Sequence, residues 1–215
     1  MAHPAEIQLS NLSGSWLMDK TKSDDLDAVL KLQGIGWLMR KTINASSVTL
    51  NFTQSEELDS STNELVQCVT MQQALVGGIK GAPQKTSLNW TDSRYNDPVF
   101  GSGTVRSCFV KGVKTSSGKV QPDLINTVEL KGERGPGDEK FLAQGVVVDT
   151  RIETTEQYLG KAFLQDFLQS TDYGWATEQL WALEEVDGNV CLTRKIVVTK
   201  GGSTEVARLV YRYAS

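Results

Sequence analysis

A two-residue alternation of apolar and polar side chains restricts this chain more than any other feature. Val48, Leu50 and Phe52 fall on one side of the first clear run, and Thr49, Asn51 and Thr53 on the other. Successive side chains of a strand point to opposite faces, so the pattern describes sheet with one covered face. Similar runs predict strands over 13–20, 63–75, 86–92, 103–111, 124–131, 141–152, 174–185, 189–200 and 204–213. The turns between them are rich in glycine or polar residues: GGIKGAP, KTSSGK, GERGPGDE, VDGN and KGGS. Asp187-Gly188 and Gly201-Gly202 lie between alternating runs as two-residue hairpin signals. Short strands at regular spacing predict a mainly β, antiparallel sandwich or barrel. No repeat or linker divides the chain, which reads as a flexible leader over 1–12 and one domain over 13–215.

Helical spacing appears in two places. Ser23 is placed to cap a helix, with Asp24, Asp25 and Asp27 complementing its positive end rather than forming a metal site. Leu26, Val29 and Leu30 follow at three- and four-residue spacing. Gly34-Ile35-Gly36 breaks that run, and 37–43 reads as a second short helix. The other helix is predicted over 154–170, where Tyr158, Leu159, Ala162, Phe163, Phe167 and Leu168 form an apolar stripe. The GERGPG stretch lacks the GxxxxGK[ST] pattern of a phosphate loop and reads as a hairpin turn.

Composition narrows the chemistry. The only histidine is His3, in the leader. That removes Ser-His-Asp and Cys-His catalysis, HExxH chemistry and ordinary zinc sites. Twenty-two basic against 26 acidic residues, a net charge of −4, argue against nucleic acid as a partner. No run reaches 18 apolar residues, so no transmembrane helix is expected. No signal peptide is visible, which read literally means cytoplasm. Against this, four of eight Asn lie in Asn-x-Ser/Thr (Asn11, Asn44, Asn51 and Asn89), where chance predicts roughly 1.4. The excess fits either small-number coincidence or a secreted or vesicular origin with the signal removed. Cys68, Cys108 and Cys191 have no CxxC spacing and read as buried thiols or as one Cys68–Cys108 bridge plus a free thiol. A homodimer is compatible with the sequence.

The order of elements resembles the calycin superfamily, in particular its fatty-acid-binding branch. Gly14-Ser15-Trp16 matches the G-x-W motif that opens the first strand of that family. LDAVLKLQGIGWLMRK, 26–41, resembles its helix–turn–helix lid, including the turn and the following Arg40, and ARLVYRYAS resembles its last strand. The resemblance implies a calycin-type barrel of 8–10 strands with the lid near the N-terminus and one additional helix. It implies that Trp16 plugs one end and that Arg208 or Arg212 packs over it. Two departures stand out. The chain is much longer than a fatty-acid-binding barrel, with the excess between Gly112 and Tyr173. If Tyr211 matches the family's inward tyrosine, Leu209 occupies its arginine position, so the carboxylate clamp is not carried over.

Alternate residues of a closed barrel face inward. Placing Asn51 and Asn89 toward solvent turns Val48, Leu50, Phe52, Leu88 and Trp90 inward. Tyr173, Trp175, Thr177, Gln179, Trp181 and Leu183 share an inward face, with Glu178 and Glu184 outward. Ala207, Leu209, Tyr211 and Tyr213 share another. With Leu26, Val29 and Leu30 of the lid, this predicts an aromatic, uncharged interior for a bulky hydrophobic small molecule. Tyr211 and Gln179 are the candidate hydrogen-bond donors for chemistry; the aromatic residues read equally as plain core.

Three functions fit. Calycin-like barrels of microbial and fungal natural-product pathways act as pericyclases, hetero-Diels–Alderases or isomerases without cofactor, including glycosylated barrels proposed to couple terpenes with quinone methides. The resemblance therefore implies an enzyme that templates a cyclisation or cycloaddition by confinement. The alternatives are a non-catalytic carrier of a lipid or other hydrophobic ligand and a structural barrel with a filled core.

Overall fold

The computed structural model describes residues 8–59, 62–75, 80–125, 136–148, 152 and 154–214. His3, most of the expected strand over 124–131 and most of the GERGPG turn lie outside the described residues. Ten strands form one antiparallel sheet: β1 (Gly14–Met18), β2 (Val48–Leu58), β3 (Leu65–Leu75), β4 (Gln84–Ser87), β5 (Ser93–Asp97), β6 (Gly101–Val110), β9 (Phe163–Ser170), β10 (Ala176–Val186), β11 (Asn189–Lys200) and β12 (Ser203–Tyr213). Their order, β4-β3-β2-β1-β12-β11-β10-β9-β6-β5, curls into a nearly closed barrel. The gap lies between β4 and β5, where an isolated bridge from Asn89 to Cys108 ties the β4–β5 connection to β6. A separate hairpin joins β7 (Gly112–Lys114) and β8 (Val120–Pro122). Helices α1 (Asp27–Leu32) and α2 (Trp37–Ala45) sit between β1 and β2, as the lid was expected to. Two further short helices, α3 (Pro136–Ala143) and α4 (Glu156–Gly160), replace the single additional one expected.

Local chemistry explains the register. Asp187 and Gly188 both have positive φ (50° and 74°), as do Gly201 and Gly202 (56° and 79°). These are the conformations of a two-residue hairpin turn, whose twist matches that of the flanking strands. They set Val186 against Asn189 and Lys200 against Ser203, and every later pair follows. At the end of α1, Gly34 (φ 85°) donates to the Lys31 carbonyl and Ile35 to that of Leu30, each at 3.0 Å. This Schellman arrangement stops the helix and turns the chain into α2. Arg40 then fastens the turn, donating to the Ile35 carbonyl at 2.8 Å and to Asp27 at 3.1 Å. Ser23 does not cap α1: Leu26 stands at that position without a side-chain bond. The Ser23 hydroxyl instead donates to the Asp19 carbonyl at 2.7 Å and accepts from the Val210 N–H at 2.9 Å, tying the entry to the lid onto β12.

Trp16 is fully buried, its indole N–H donating to the Leu12 carbonyl at 3.1 Å, and Tyr213 meets its ring edge-on at 5.3 Å. Leu9 and Leu12, in the segment expected to be a flexible leader, are buried in the same apolar cluster. Gln54 holds that segment through its side chain, accepting from the Leu12 N–H and donating to the Leu9 carbonyl.

Sequence reading and structure differ most over 111–162. Its described residues (111–125, 136–148, 152 and 154–162) form an outer layer against β6, β9, β10 and β11. Val120, Leu142, Val146, Tyr158 and Leu159 pack on the outward-facing Phe163, Leu180, Ala182 and Val197. Those strands are therefore covered on both sides. The helix expected over 154–170 is helical only in α4, capped by Thr155, and continues as strand β9. Apolar residues on both faces of a strand read as a helical stripe, because burial removes the alternation. Within 141–152, α3 takes the first residues and Val146 makes only a bridge to Val120. Glu178 and Glu184, expected in solvent, point away from the barrel interior but are buried under the outer layer. Over 86–92 the strand ends at Ser87, Trp90 turns the chain at φ 61°, and β5 follows unforeseen.

Gln165, Glu178, Glu184 and Lys195, buried on the outer face, are paired, while the buried Thr199 Oγ1 finds no partner among the described residues. Gln165 accepts from the Ile125 N–H and donates to the Ile125 carbonyl and to Glu178, each at 2.9 Å. Glu184 accepts from Thr193 at 2.6 Å and Arg208 at 2.8 Å. Lys195 donates to the Gln144 carbonyl, and burial pushes its pKa down to about 8.

Candidate functional site: a lidded cavity in the barrel

Inside the barrel is a cavity of about 150 Å³, roofed by the lid. Leu26, Val29 and Leu30 reach it from α1 and its entry. Phe52 contributes from β2, while Trp175, Thr177, Gln179 and Trp181 come from β10 or just before it, and Leu209 and Tyr211 from β12. Three residues expected inside lie elsewhere. Trp90 packs on the outer surface against Phe167 and Ala176, because its positive φ breaks the alternation on which the expectation rested. Tyr173 is 41% exposed in the turn before β10, its ring against Gly34 of the lid. Tyr213 stands beside Trp16.

The interior is not uncharged. Arg194 on β11 and Asp166 on β9 both line it. Register explains how they meet the predicted residues. One inward row runs Trp181–Arg194–Leu209 across β10, β11 and β12; the next runs Ser107–Asp166–Gln179–Ile196 across β6, β9, β10 and β11. Arg194 donates through Nε (2.9 Å) and Nη2 (2.7 Å) to Gln179 Oε1. Its guanidinium lies over the Trp181 ring, 4.7 Å from the centroid. The Trp181 indole N–H donates to Asp166 Oδ2 at 2.7 Å, and Ser107 donates to Asp166 Oδ1 at 2.6 Å. Phe52 meets Trp181 edge-on at 5.7 Å, and the Tyr211 ring lies 6.3 Å from it.

Charge states follow from burial and partners. Burial pushes the Asp166 carboxyl above its usual range, opposed by the two donated bonds and by the charge of Arg194. Burial likewise raises the Tyr211 phenol, opposed by Arg194, so its hydroxyl keeps its proton and can donate. Because Gln179 Oε1 accepts from Arg194, the Gln179 amide turns its NH₂ elsewhere, as a donor. The arrangement is an apolar vessel whose wall offers cationic and neutral donors in one cluster.

The structural residues behave differently from one another. Trp16 is fully buried, whereas Arg208 pairs with Glu184 and Arg212 with Asp19 at 3.2 Å. Asn11 is exposed. Asn44, Asn51 and Asn89 are half-buried and hydrogen-bonded, to Asp25, Ser15 and Asp59 respectively. All three cysteines are buried and free. Among the described residues no group of three or more His, Cys, Asp or Glu side chains gathers to hold a metal ion, and no helix is long and apolar enough to cross a membrane.

Sequence reasoning missed Arg194, although the signal was there. The Gly201-Gly202 turn pairs position 194 with 209, and Leu209 had been placed inward. Asp166 had no such signal, because its strand was read as helix.

The chain is similar along its whole length to two proteins named as pericyclases. Pericyclase pydY of Acremonium sp is 24% identical over 213 residues, covering 99% of this chain and 97% of that protein. The probable pericyclase scpY of Mollisia scopiformis is 23% identical over 213 residues, covering 99% and 94%. No protein-family model matches. Among solved structures, Echinococcus granulosus fatty-acid-binding protein 1 superposes with a TM-score of 0.49 at 11% identity, over 95% of this chain and 98% of that one. A Schistosoma mansoni fatty acid binding protein in complex with arachidonic acid gives 0.48 at 16% identity, over 94% and 96%.

Proposed function

We propose that the barrel binds a bulky, largely hydrophobic small molecule and templates its cyclisation or cycloaddition. The observation that carries this reading is the cavity itself: a largely apolar interior that brings the donors Tyr211, Gln179 and Arg194 together on its wall. Full-length similarity to two proteins named as pericyclases supports it. A cycloaddition exchanges π bonds for σ bonds within the bound reactants and needs no electron or net proton from outside them. The protein's task is then to fold the substrate and to polarise it.

Confinement by Phe52, Trp181 and the lid selects reactive conformers. Such ordering is worth at most roughly 7–11 kcal/mol where geometry is ideal. A donor aimed at a carbonyl conjugated to the reacting π system contributes about 3–4 kcal/mol more. Tyr211, Gln179 and Arg194 are the residues that supply it. A terpene-like polyene and a quinone methide are reactant types of suitable shape and polarity.

The test is the rate and stereochemistry of a polyene or quinone methide cyclisation with and without the protein. Equal rates and equal enantiomer ratios refute catalysis. The second reading, a carrier, is favoured by the lidded apolar cavity, which needs no chemistry. Native mass spectrometry separates the two: a carrier retains its unaltered ligand and shows no turnover.

A further inference from the structure

The lid end of the cavity carries two donors that the cluster around Arg194 does not use. Tyr95 and Trp175 both line the cavity. Tyr95 Oη and Trp175 Nε1 are buried and find no hydrogen-bond partner among the described residues. Buried donors are almost always paired, so two orphans on one cavity wall call for an acceptor brought from outside.

The backbone is shaped to hold them there. Tyr95 on β5 stands opposite Gly103 on β6. A Cβ at Gly103 would lie 2.6 Å from the Tyr95 hydroxyl oxygen and 2.3 Å from the Gln169 carbonyl oxygen. Only the absence of a side chain lets the phenol lie across β6. Gly103 in turn pairs with Ser170 on β9, whose N–H donates to the Trp175 carbonyl at 2.9 Å. Three adjoining strands thus bring both donors to one region. It lies under the lid: Val99 and Phe100, after β5, pack with Leu30, Ile35 and Ile43.

The surroundings define the acceptor. Burial, with the carboxylates of Asp97 and Asp172, raises the Tyr95 phenol, which stays protonated. Those carboxylates are engaged by backbone N–H groups of Val99, Phe100 and Ser102. Their charge disfavours an anionic oxygen beside Tyr95.

We propose that Tyr95 Oη–H and Trp175 Nε1–H form a subsite for a neutral acceptor oxygen of the ligand, a ketone, ester or ether. The inference rests on the ligand-binding reading of the cavity and adds a second polar anchor, at the lid end, to the one around Arg194. The ligand is then apolar in its middle and carries an oxygen at each end.

The probe is 6-propionyl-2-(dimethylamino)naphthalene, a neutral fluorescent ketone, against its 6-propyl analogue, which lacks the oxygen. The native protein binds the ketone more tightly, by about 3- to 10-fold for each donor engaged. Tyr95→Phe and Trp175→Phe each remove their share of that preference, read as the ratio of the analogue's Kd to the ketone's in the same variant. The infrared C=O stretch of the bound ketone lies lower in the native protein than in Tyr95→Phe. If native protein binds both probes equally, or the preference survives both substitutions, the subsite is overturned while ligand binding stands. If neither probe enters, the ligand-binding reading falls as well.

Discussion

Replacing Gln165 by Leu tests whether the outer layer braces the barrel wall. The substitution roughly conserves volume and removes both polar atoms. Gln165 is buried on the outward face of β9, and its amide closes three hydrogen bonds of 2.9 Å: two with the Ile125 backbone and one with Glu178. A neutral bond contributes about 0.5–1.5 kcal/mol and one to a charged group about 1.5–3. Ile125 is half-buried, so water replaces part of its loss, and a total near 3 kcal/mol is expected. For a chain of this length that lowers Tm by roughly 6–12 °C. Urea unfolding followed by tryptophan fluorescence gives the free energy directly, and the double variant with Glu178→Gln gives the coupling between the two side chains. A loss below about 1 kcal/mol, or strict additivity in the double variant, refutes the brace. The consequence reaches the cavity, because Asp166 and Gln179 are the inward neighbours of Gln165 and Glu178 along β9 and β10.

Three other outcomes follow. Tyr211→Phe and Gln179→Ala should slow turnover of an accepted substrate by roughly 100- to 1000-fold while leaving the barrel folded by circular dichroism; unchanged kinetics in both removes them as donors. Lys195, pushed down to about 8 by burial, sheds its proton in the folded state while the unfolded chain still holds it. Stability from this group therefore rises with pH between about 8 and 10, and Lys195→Met should abolish that slope in urea titrations over this range. Burial pushes the Cys108 thiol up to about 11 and raises that of Cys191, and all three cysteines are free. Native protein at pH 8 should react slowly with a thiol reagent, and protein denatured without reductant should yield three equivalents; two missing thiols would establish a disulfide, with peptide mapping showing whether it joins Cys68 and Cys108.

Much of the barrel was legible because its information is local. The lid was readable from the Gly34 break between two helical spacings, and the last two hairpins from their turn residues. Inward positions on β2, β10 and β12 followed once one residue on each was oriented. Trp90 shows the limit: a single residue at positive φ reversed the alternation, and nothing in its sequence context announced it. Over 154–170 the difficulty was different. Phe163 packs under the outer layer, Gln165 bonds Ile125 and Glu178, and Phe167 is covered by Trp90, while Leu164, Asp166 and Leu168 face the cavity, so neither face looks exposed.

What the sequence determined by itself is much of the antiparallel meander and the helix pair after β1. Strand alternation, turn conformation and helix termination are properties of a few neighbouring residues. Only the tertiary structure decided what the excess length does and what charge the cavity holds. The described residues between 111 and 162 form an outer layer because β9, β10 and β11 offer a second apolar face, which no local pattern distinguishes from a core helix. Arg194 and Asp166 come inside because register across five strands aligns them with Trp181 and Gln179, where hydrogen bonds and an indole face replace the water they lose.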